Sequence, residues 1–165
     1  MSEIRALHES DLAAVLAMNN AAVPAVNPHD EASWQELVAM ADRSWVVDDD
    51  GVLGALLVTF APAASYESAN YRWLSERFGF TDDAFRYVDR IVVAPTHRRR
   101  GLAGALYDTL ADHAASVGAA RLLCEVNVEP PNPRSIAFHE ATGWSPIDDL
   151  THGPGKIVRF FERVL

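Results

Sequence analysis

The chain has 165 residues, of which 49% are hydrophobic and 22% are charged, a composition typical of one soluble globular domain. Its formal net charge of -9 argues against general affinity for nucleic acids, because binding a polyanion requires a broad basic surface. One cysteine excludes a disulfide framework, and the six histidines form no H-x3-H pair that would suggest a metal site.

The first sixty residues predict a strand, two helices and a hairpin, because alternating and helical apolar patterns follow one another between turn signals. Prolines end the first helix, and an Asp-Asp-Asp-Gly sequence closes the hairpin. The predicted elements are a strand at 4–7, a helix capped by Ser10 or Asp11, a helix starting near Asp30 or Ser33, and hairpin strands at 44–47 and 52–60.

Residues 61–86 are less regular and rich in aromatic side chains, and we interpret them as an insertion in the domain. A short helix is predicted across residues 69–78. Aromatic residues at this density either cover one end of a sheet or line a pocket, and both alternatives remain open. In the second case Tyr66, Tyr71 and Trp73 would contact the substrate.

The second half of the chain alternates strands and helices. Gly118 is placed to end one helix, and Asn132 followed by Pro133 is typical of a helix start. No repeat or linker appears, so residues 1–165 are predicted to form a single α/β domain with a mixed sheet. The predicted strands are 87–93, 121–128, one that begins at Trp144, and 156–164.

Residues 90–107 predict a strand, a basic turn and the opening of a helix. A helix start presents unpaired N–H groups and a partial positive charge. Gly101 and Gly104 lack a Cβ, so a ligand can approach the backbone closely, and three consecutive arginines precede them. These features predict a site for a phosphate or pyrophosphate, although neither the dinucleotide fingerprint nor a Walker loop is present.

The segment Arg98-Arg99-Arg100-Gly101-Leu102-Ala103 resembles the acetyl-CoA motif Arg/Gln-x-x-Gly-x-Gly/Ala of the GCN5-related N-acetyltransferases (GNAT). Residues 132–144 are similar to a second motif of this family, Asn-x-x-Ala-x-x-x-Tyr-x-x-x-Gly-Phe. Ser135, His139 and Trp144 depart from it, and His139 replaces the tyrosine that usually protonates the departing thiolate. The resemblance implies a mostly antiparallel mixed sheet flanked by helices, a splayed central strand pair, and acetyl-CoA as cofactor.

By the same resemblance, we expect backbone N–H groups between Arg98 and Gly104 to bind the pyrophosphate, and a strand edge to pair with the pantetheine arm. A strand N–H in the gap near Val93 and Glu125 would polarise the thioester carbonyl. The predicted cofactor-binding residues are Ile91, Val92, Val93, Arg98, Arg99, Arg100, Gly101, Leu102, Ala103, Gly104, Asn132, Ser135 and Phe138.

Two carboxylates on central strands are candidates for the catalytic base. Glu125 has apolar neighbours, and in the similar ribosomal-protein N-terminal acetyltransferases a glutamate on this strand is the base. Asp89 is the second candidate, and either carboxylate could instead only pair with an arginine such as Arg90 or Arg121. The remaining residues predicted to contact the substrate are Tyr87, which shares a strand face with Asp89, and Asn127.

His139 occupies the position of the family's tyrosine and is the candidate for the catalytic acid. Neutral imidazole is a poor acid, but an imidazolium near a carboxylate would persist toward neutral pH. The alternative is a partly buried histidine that packs beside Phe138. Cys124 has no partnered base, so we interpret it as a core residue.

The resemblance therefore predicts transfer of an acetyl group from acetyl-CoA to a primary amine by direct attack in a ternary complex. The acidic net charge would attract an amine, and a small molecule is favoured over a protein N-terminus or lysine. An acyl-CoA-binding sensor of the same fold and a nucleotide- or nucleic-acid-binding domain remain alternatives, and a homodimer stays open. No apolar run approaches the roughly 20 residues that span a bilayer, so we expect a cytoplasmic protein without a membrane partner.

Overall fold

The computed structural model describes residues 1–165 and contains one seven-stranded sheet with five helices against it. The strand order across the sheet is β1-β2-β3-β4-β5-β7-β6. The strands are β1 (Ser2–Ala6), β2 (Arg43–Asp49), β3 (Val52–Phe60), β4 (Arg86–Val93), β5 (Arg121–Glu129), β6 (Ser145–Thr151) and β7 (Ile157–Val164). The helices are α1 (Leu12–Ala21), α2 (Glu31–Met40), α3 (Ala69–Phe78), α4 (Leu102–Ser116) and α5 (Pro133–Ala141).

Local capping signals place the helix ends. The Asp30 side chain accepts a hydrogen bond from the Ser33 N–H at 2.8 Å and starts α2. The Asn132 side chain does the same for α5 through the Ser135 N–H at 3.4 Å, with Pro133 in the first turn. Strand ends differ from the predicted ones by one or two residues, and the short helix of the aromatic segment forms as predicted.

The centre of the sheet is splayed, which confirms the predicted fold class. All neighbouring strands pair antiparallel except β4 and β5, which run parallel and pair only at Arg86 with Leu122 and Tyr87 with Leu123. Beyond these residues β4 stays paired with β3, and β5 stays paired with β7. The facing edges of β4 and β5 are therefore unpaired with each other and diverge around an open gap.

Alternate residues of the central strands supply two cores, one on each face of the sheet. Leu56 and Phe160 belong to the first core, which includes Trp34 and the aromatic residues of α3, whereas Leu57 and Phe161 belong to the second core, against α4 and α5. Cys124 is 2% exposed within the second core, as predicted. No helix combines the length and apolarity that crossing a membrane requires.

Candidate active site

A cavity of about 1020 Å³ lies in the gap between β4 and β5. Its walls come from both splayed strands, the turn before α4, the first turns of α4 and α5, and the segment 22–27 that follows α1. This volume is at the upper end of what small-molecule and cofactor sites occupy. Twelve of the thirteen predicted cofactor-binding residues line it, and the exception is Arg100.

The turn before α4 has the geometry of an anion site. Arg99 and Gly101 both have positive φ angles, 62° and 74°, which curl the backbone into the N-terminus of α4. A Cβ built on Gly104 would meet no protein atom within 4 Å, and Gly104 lines the cavity. The missing side chain therefore leaves open access to the helix backbone, and the turn fits a pyrophosphate.

Arg100 points away from the cavity and anchors this turn to the sheet. Its guanidinium donates to Asp49 Oδ2 at 3.0 Å and to the Ser2 hydroxyl at 2.8 Å. The buried His97 lies 3.2 Å from the same Asp49 oxygen through its Nε2. Arg100 was predicted to contact the cofactor, but these bonds direct its side chain to β1 and β2.

Gly54 in β3 makes room for His97, so Gly54→Ala is expected to loosen the turn. A Cβ at this position would lie 2.5 Å from His97 Cδ2. Overpacking of this kind costs about 1–3 kcal/mol, which corresponds to about 2–12 °C in Tm for a domain of this size. We expect a lower Tm and faster amide exchange in residues 95–101. Gly104→Ala, which meets no atom, should not lower the Tm, and an equal loss in both variants would contradict this explanation.

Glu125 lies in β5 where the strands diverge, and it faces the cavity. The Tyr87 hydroxyl is 2.8 Å from each of its carboxylate oxygens, and the Asn70 amide donates to Oε1 at 3.0 Å. Burial raises the pKa of Glu125 to about 8, although the hydrogen bond from Tyr87 opposes this shift. Arg121 pairs with Glu162 at 2.8 Å and not with Glu125, so no arginine neutralises this carboxylate.

Asp89 also lines the cavity, but unlike Glu125 it forms an ion pair with an arginine. Oδ2 accepts from Arg90 Nε at 2.7 Å, and Oδ1 accepts from the Tyr66 hydroxyl at 2.6 Å. The Asp89 side chain is only 4% exposed, and Arg90 is held in turn by Asn19 Oδ1 at 2.8 Å. This geometry favours the ion-pair alternative for Asp89 and leaves Glu125 as the better-placed base.

His139 is 3% exposed and is enclosed by aromatic rings at the cavity wall. Its Nδ1 lies 2.7 Å from the Ser135 carbonyl oxygen, which can only accept, so Nδ1 carries the proton. Its Nε2 lies 2.9 Å from the Tyr107 hydroxyl and accepts from it. Burial lowers the pKa of His139, so the expected imidazolium is disfavoured here and the ring is neutral.

The residues predicted to contact the substrate divide into two groups. Tyr66 and Asn127 line the cavity, whereas Tyr71, Trp73 and Tyr87 do not. Tyr71 donates to the Ala61 carbonyl oxygen at 2.6 Å within the first core, and Trp73 stacks on Phe160 with ring centroids 4.4 Å apart. Their placement supports the covering alternative for the aromatic segment.

The sequence interpretation missed several cavity residues with polar side chains, among them Asn70, Tyr107, Arg134 and Lys156. Tyr107 falls within the apolar pattern of α4 and so is indistinguishable from a core residue. Asn70 carries no motif, and its relevance comes only from the contact with Glu125. Lys156 could have been noticed as the sole lysine, but nothing in the sequence places it near β5.

Residues 12–144 match a family model described as the acetyltransferase (GNAT) family. Among curated proteins, no sequence matches this chain. The ribosomal-protein-S18-alanine N-acetyltransferase from Escherichia coli superposes with a TM-score of 0.74 at 20% identity, covering 99% of this chain and 94% of that chain. NAA60 from Arabidopsis thaliana, solved in complex with acetyl-CoA, superposes with a TM-score of 0.77 at 18% identity and covers 100% of both chains. Ard1 from Thermoplasma volcanium superposes with a TM-score of 0.78 at 15% identity, covering 99% of this chain and 97% of that chain. These structures share the fold of this chain.

Proposed function

Because the chain belongs to the acetyltransferase (GNAT) family, we propose that it transfers an acetyl group from acetyl-CoA to a primary amine by direct attack in a ternary complex. The observation that carries the proposal is the position of Glu125, where the strands diverge and in the same cavity as the anion turn, since burial there raises its pKa to about 8. A base with this pKa is partly ionised at neutral pH and can accept a proton from an ammonium group. The cavity volume of about 1020 Å³ suits a cofactor together with a small-molecule acceptor.

The cavity residues supply what acetyl-CoA requires. The N–H groups of the turn and of the start of α4 would bind the pyrophosphate, and the cavity arginines Arg98, Arg99 and Arg134 would add positive charge. The unpaired edge of β4 from Val88 to Val93 offers backbone groups to the amide-rich pantetheine arm. When bound, acetyl-CoA supplies an activated acyl thioester, and a backbone N–H in the gap would polarise its carbonyl.

Glu125 acts as the base in this proposal. It removes a proton from the incoming amine, so that the nitrogen lone pair is available for attack. Tyr87 and Asn70 hold both carboxylate oxygens in place, and the burial that raises the pKa of Glu125 makes it a stronger base than an exposed glutamate. Asp89 remains bound to Arg90 and Tyr66 and shapes the wall beside it.

Tyr107 is the proton donor for the sulfur in this proposal, and His139 orients it. The family motif has a tyrosine at the position of residue 139, whereas this chain has the shorter His139 there, hydrogen-bonded to the Tyr107 hydroxyl from α4. A neutral His139 with its proton on Nδ1 cannot donate from Nε2, but the Tyr107 hydroxyl can turn its proton toward a thiolate in the cavity.

An amine panel with detection of released free CoA tests the proposed activity. Primary amines should release CoA in a time-dependent manner and yield an acetylated product by mass spectrometry. Acetyl-CoA binding that raises the Tm, without turnover of any amine, would instead identify an acyl-CoA sensor. Strong salt-dependent binding of DNA or RNA would favour the nucleic-acid alternative.

Gly104→Glu tests the anion site without disturbing the fold. A Cβ at this position meets no protein atom within 4 Å, and the glutamate places a negative charge where the phosphates would bind. Repulsion across a few ångströms should weaken acetyl-CoA binding by about 10- to 100-fold in calorimetric titration. Ala115→Glu adds the same charge to an exposed position of α4 outside the cavity and should bind acetyl-CoA like the parent. Equal affinity in Gly104→Glu would show that the turn is not the phosphate site.

A further inference from the structure

The side of the cavity lined by Tyr66, Asp89, Glu125 and Asn127, called the acceptor side below, contains a cation that no carboxylate neutralises. Lys156 lies immediately before β7 and lines the cavity, and its Nζ donates to Asn127 Oδ1 at 2.7 Å. No carboxylate lies within ion-pair distance of it, whereas the other cation on this side, Arg90, is paired with Asp89 at 2.7 Å. A partly buried ammonium without a counter-ion favours an anionic group of a ligand.

Lys156 and Glu125 lie close to each other along the cavity wall. Asn127, which accepts a hydrogen bond from Lys156, lies two residues after Glu125 in β5. The side chains of Glu125 and Asn127 therefore project from the same face of the strand, about 7 Å apart. The Lys156 charge reaches Glu125 and lowers the pKa of that carboxyl against the effect of burial. An amine at Glu125 would therefore lie in the same part of the cavity as the Lys156 ammonium.

Asn127 adds a second donor at the same end. Its side chain is buried, 8% exposed, and its Oδ1 is occupied by Lys156. Its Nδ2 reaches only the Pro24 carbonyl oxygen, at 3.5 Å, which is at the limit of a hydrogen bond. Lys156 Nζ and Asn127 Nδ2 thus provide two neighbouring donors that a carboxylate, with two acceptor oxygens, can use.

We propose that the acceptor is an amine that also carries a carboxylate close to its nitrogen, as in an α-amino acid or a peptide with an acidic first residue. In this arrangement Glu125 receives the amine, and Lys156 with Asn127 binds the carboxylate. The inference rests on the proposed acetyl transfer. Amines with a second positive charge are disfavoured, despite the net charge of -9, because they would meet the unpaired Lys156.

Matched pairs of α-amino acids and their carboxamides test the inference, since the two members differ only in the carboxylate. In the parent, kcat/KM for the acid should exceed that for the amide, and Lys156→Met should lower this ratio by about 10- to 100-fold, mainly through KM for the acid. The comparison between parent and variant cancels the different basicity of the two amines. Lys156→Arg keeps the charge and should retain most of the preference.

Two further arms locate the effect. Dipeptides that begin with aspartate or asparagine separate an acidic peptide from a free amino acid as the source of the carboxylate. Lys156→Met should leave KM for acetyl-CoA unchanged. Arg134 lies in the first turn of α5, close to Asn132, and lines the cavity. Arg134→Met should therefore raise KM for acetyl-CoA and leave the acid-to-amide ratio intact.

The outcomes separate this inference from the proposed function. An acid-to-amide ratio that is the same in the parent and in Lys156→Met would overturn the inference while leaving acetyl transfer standing. If no amine in the panel leads to release of CoA, the proposed function is overturned and the inference falls with it. A loss of the ratio in Lys156→Met and its retention in Lys156→Arg would support the carboxylate site.

Discussion

Glu125→Gln is expected to lower kcat by about 10²- to 10⁴-fold, because glutamine keeps the shape and the bonds to Tyr87 and Asn70 but cannot accept a proton. In the parent, kcat/KM should rise with pH through about 8, as Glu125 loses its proton. The amine's own ionisation adds to this limb, so a pH profile of the variant is needed beside that of the parent.

Glu129→Gln is the matched control for this experiment. Glu129 lies in the same strand but is exposed and outside the cavity, so its replacement should leave kcat and the pH profile unchanged. A Glu125→Gln variant that keeps the parent's kcat would assign deprotonation of the amine to solvent or to Asp89.

Glu125→Gln should also change the stability of the protein with pH, an effect that can be measured without an activity assay. Burial raises the pKa of Glu125 from 4.5 to about 8 in the folded protein. Between these pH values the folded state binds more protons than the unfolded state, so the parent's free energy of unfolding falls as pH rises. Glutamine cannot ionise, so the Tm advantage of Glu125→Gln should grow across this range and level off above it. A Tm difference that is constant with pH would show that Glu125 titrates normally.

Tyr107→Phe is expected to lower kcat by about 10- to 100-fold, with little change in KM for acetyl-CoA, because it removes the proposed proton donor to the sulfur. Burial raises the pKa of Tyr107 well above its usual 10, so the alkaline limb of the parent should lie above pH 10 and far from any limb set by an imidazolium. The variant also leaves His139 Nε2 without its partner, which should cost about 1–3 kcal/mol of stability.

A second substitution separates the catalytic effect from the structural one. Adding His139→Tyr to Tyr107→Phe returns a phenol to the position that the family motif gives it, and kcat should recover. A Tyr107→Phe variant with a lower Tm but the parent's kcat would mean that Tyr107 has only a packing role and that water protonates the thiolate. His139→Phe alone should lower kcat less than Tyr107→Phe, since the hydroxyl remains.

Local signals in the sequence were sufficient for the secondary structure and for locating the turn that is proposed to bind the cofactor. Helix caps such as Asp30 and Asn132 act over three or four residues, so they are visible in the chain itself. The anion turn is likewise a contiguous segment, Arg98 to Gly104, whose function depends mostly on its own backbone. For this reason the two motifs indicated the family that the match over residues 12–144 confirms.

Contacts between distant segments decided the rest. The orientation of Arg100 depends on Asp49, 51 residues away, and the environment of Glu125 depends on Asn70 and Tyr87, 55 and 38 residues away. Sequence patterns report whether a side chain is polar, but the pKa of Glu125 and the neutral state of His139 follow from which groups surround them after folding. The splay of β4 and β5, which creates the cavity, arises from a pairing that stops after two residues. The chain therefore encodes its elements and the turn at residues 98–104 locally, while Glu125, Tyr107 and Lys156 come to line one cavity only when the sheet brings them together.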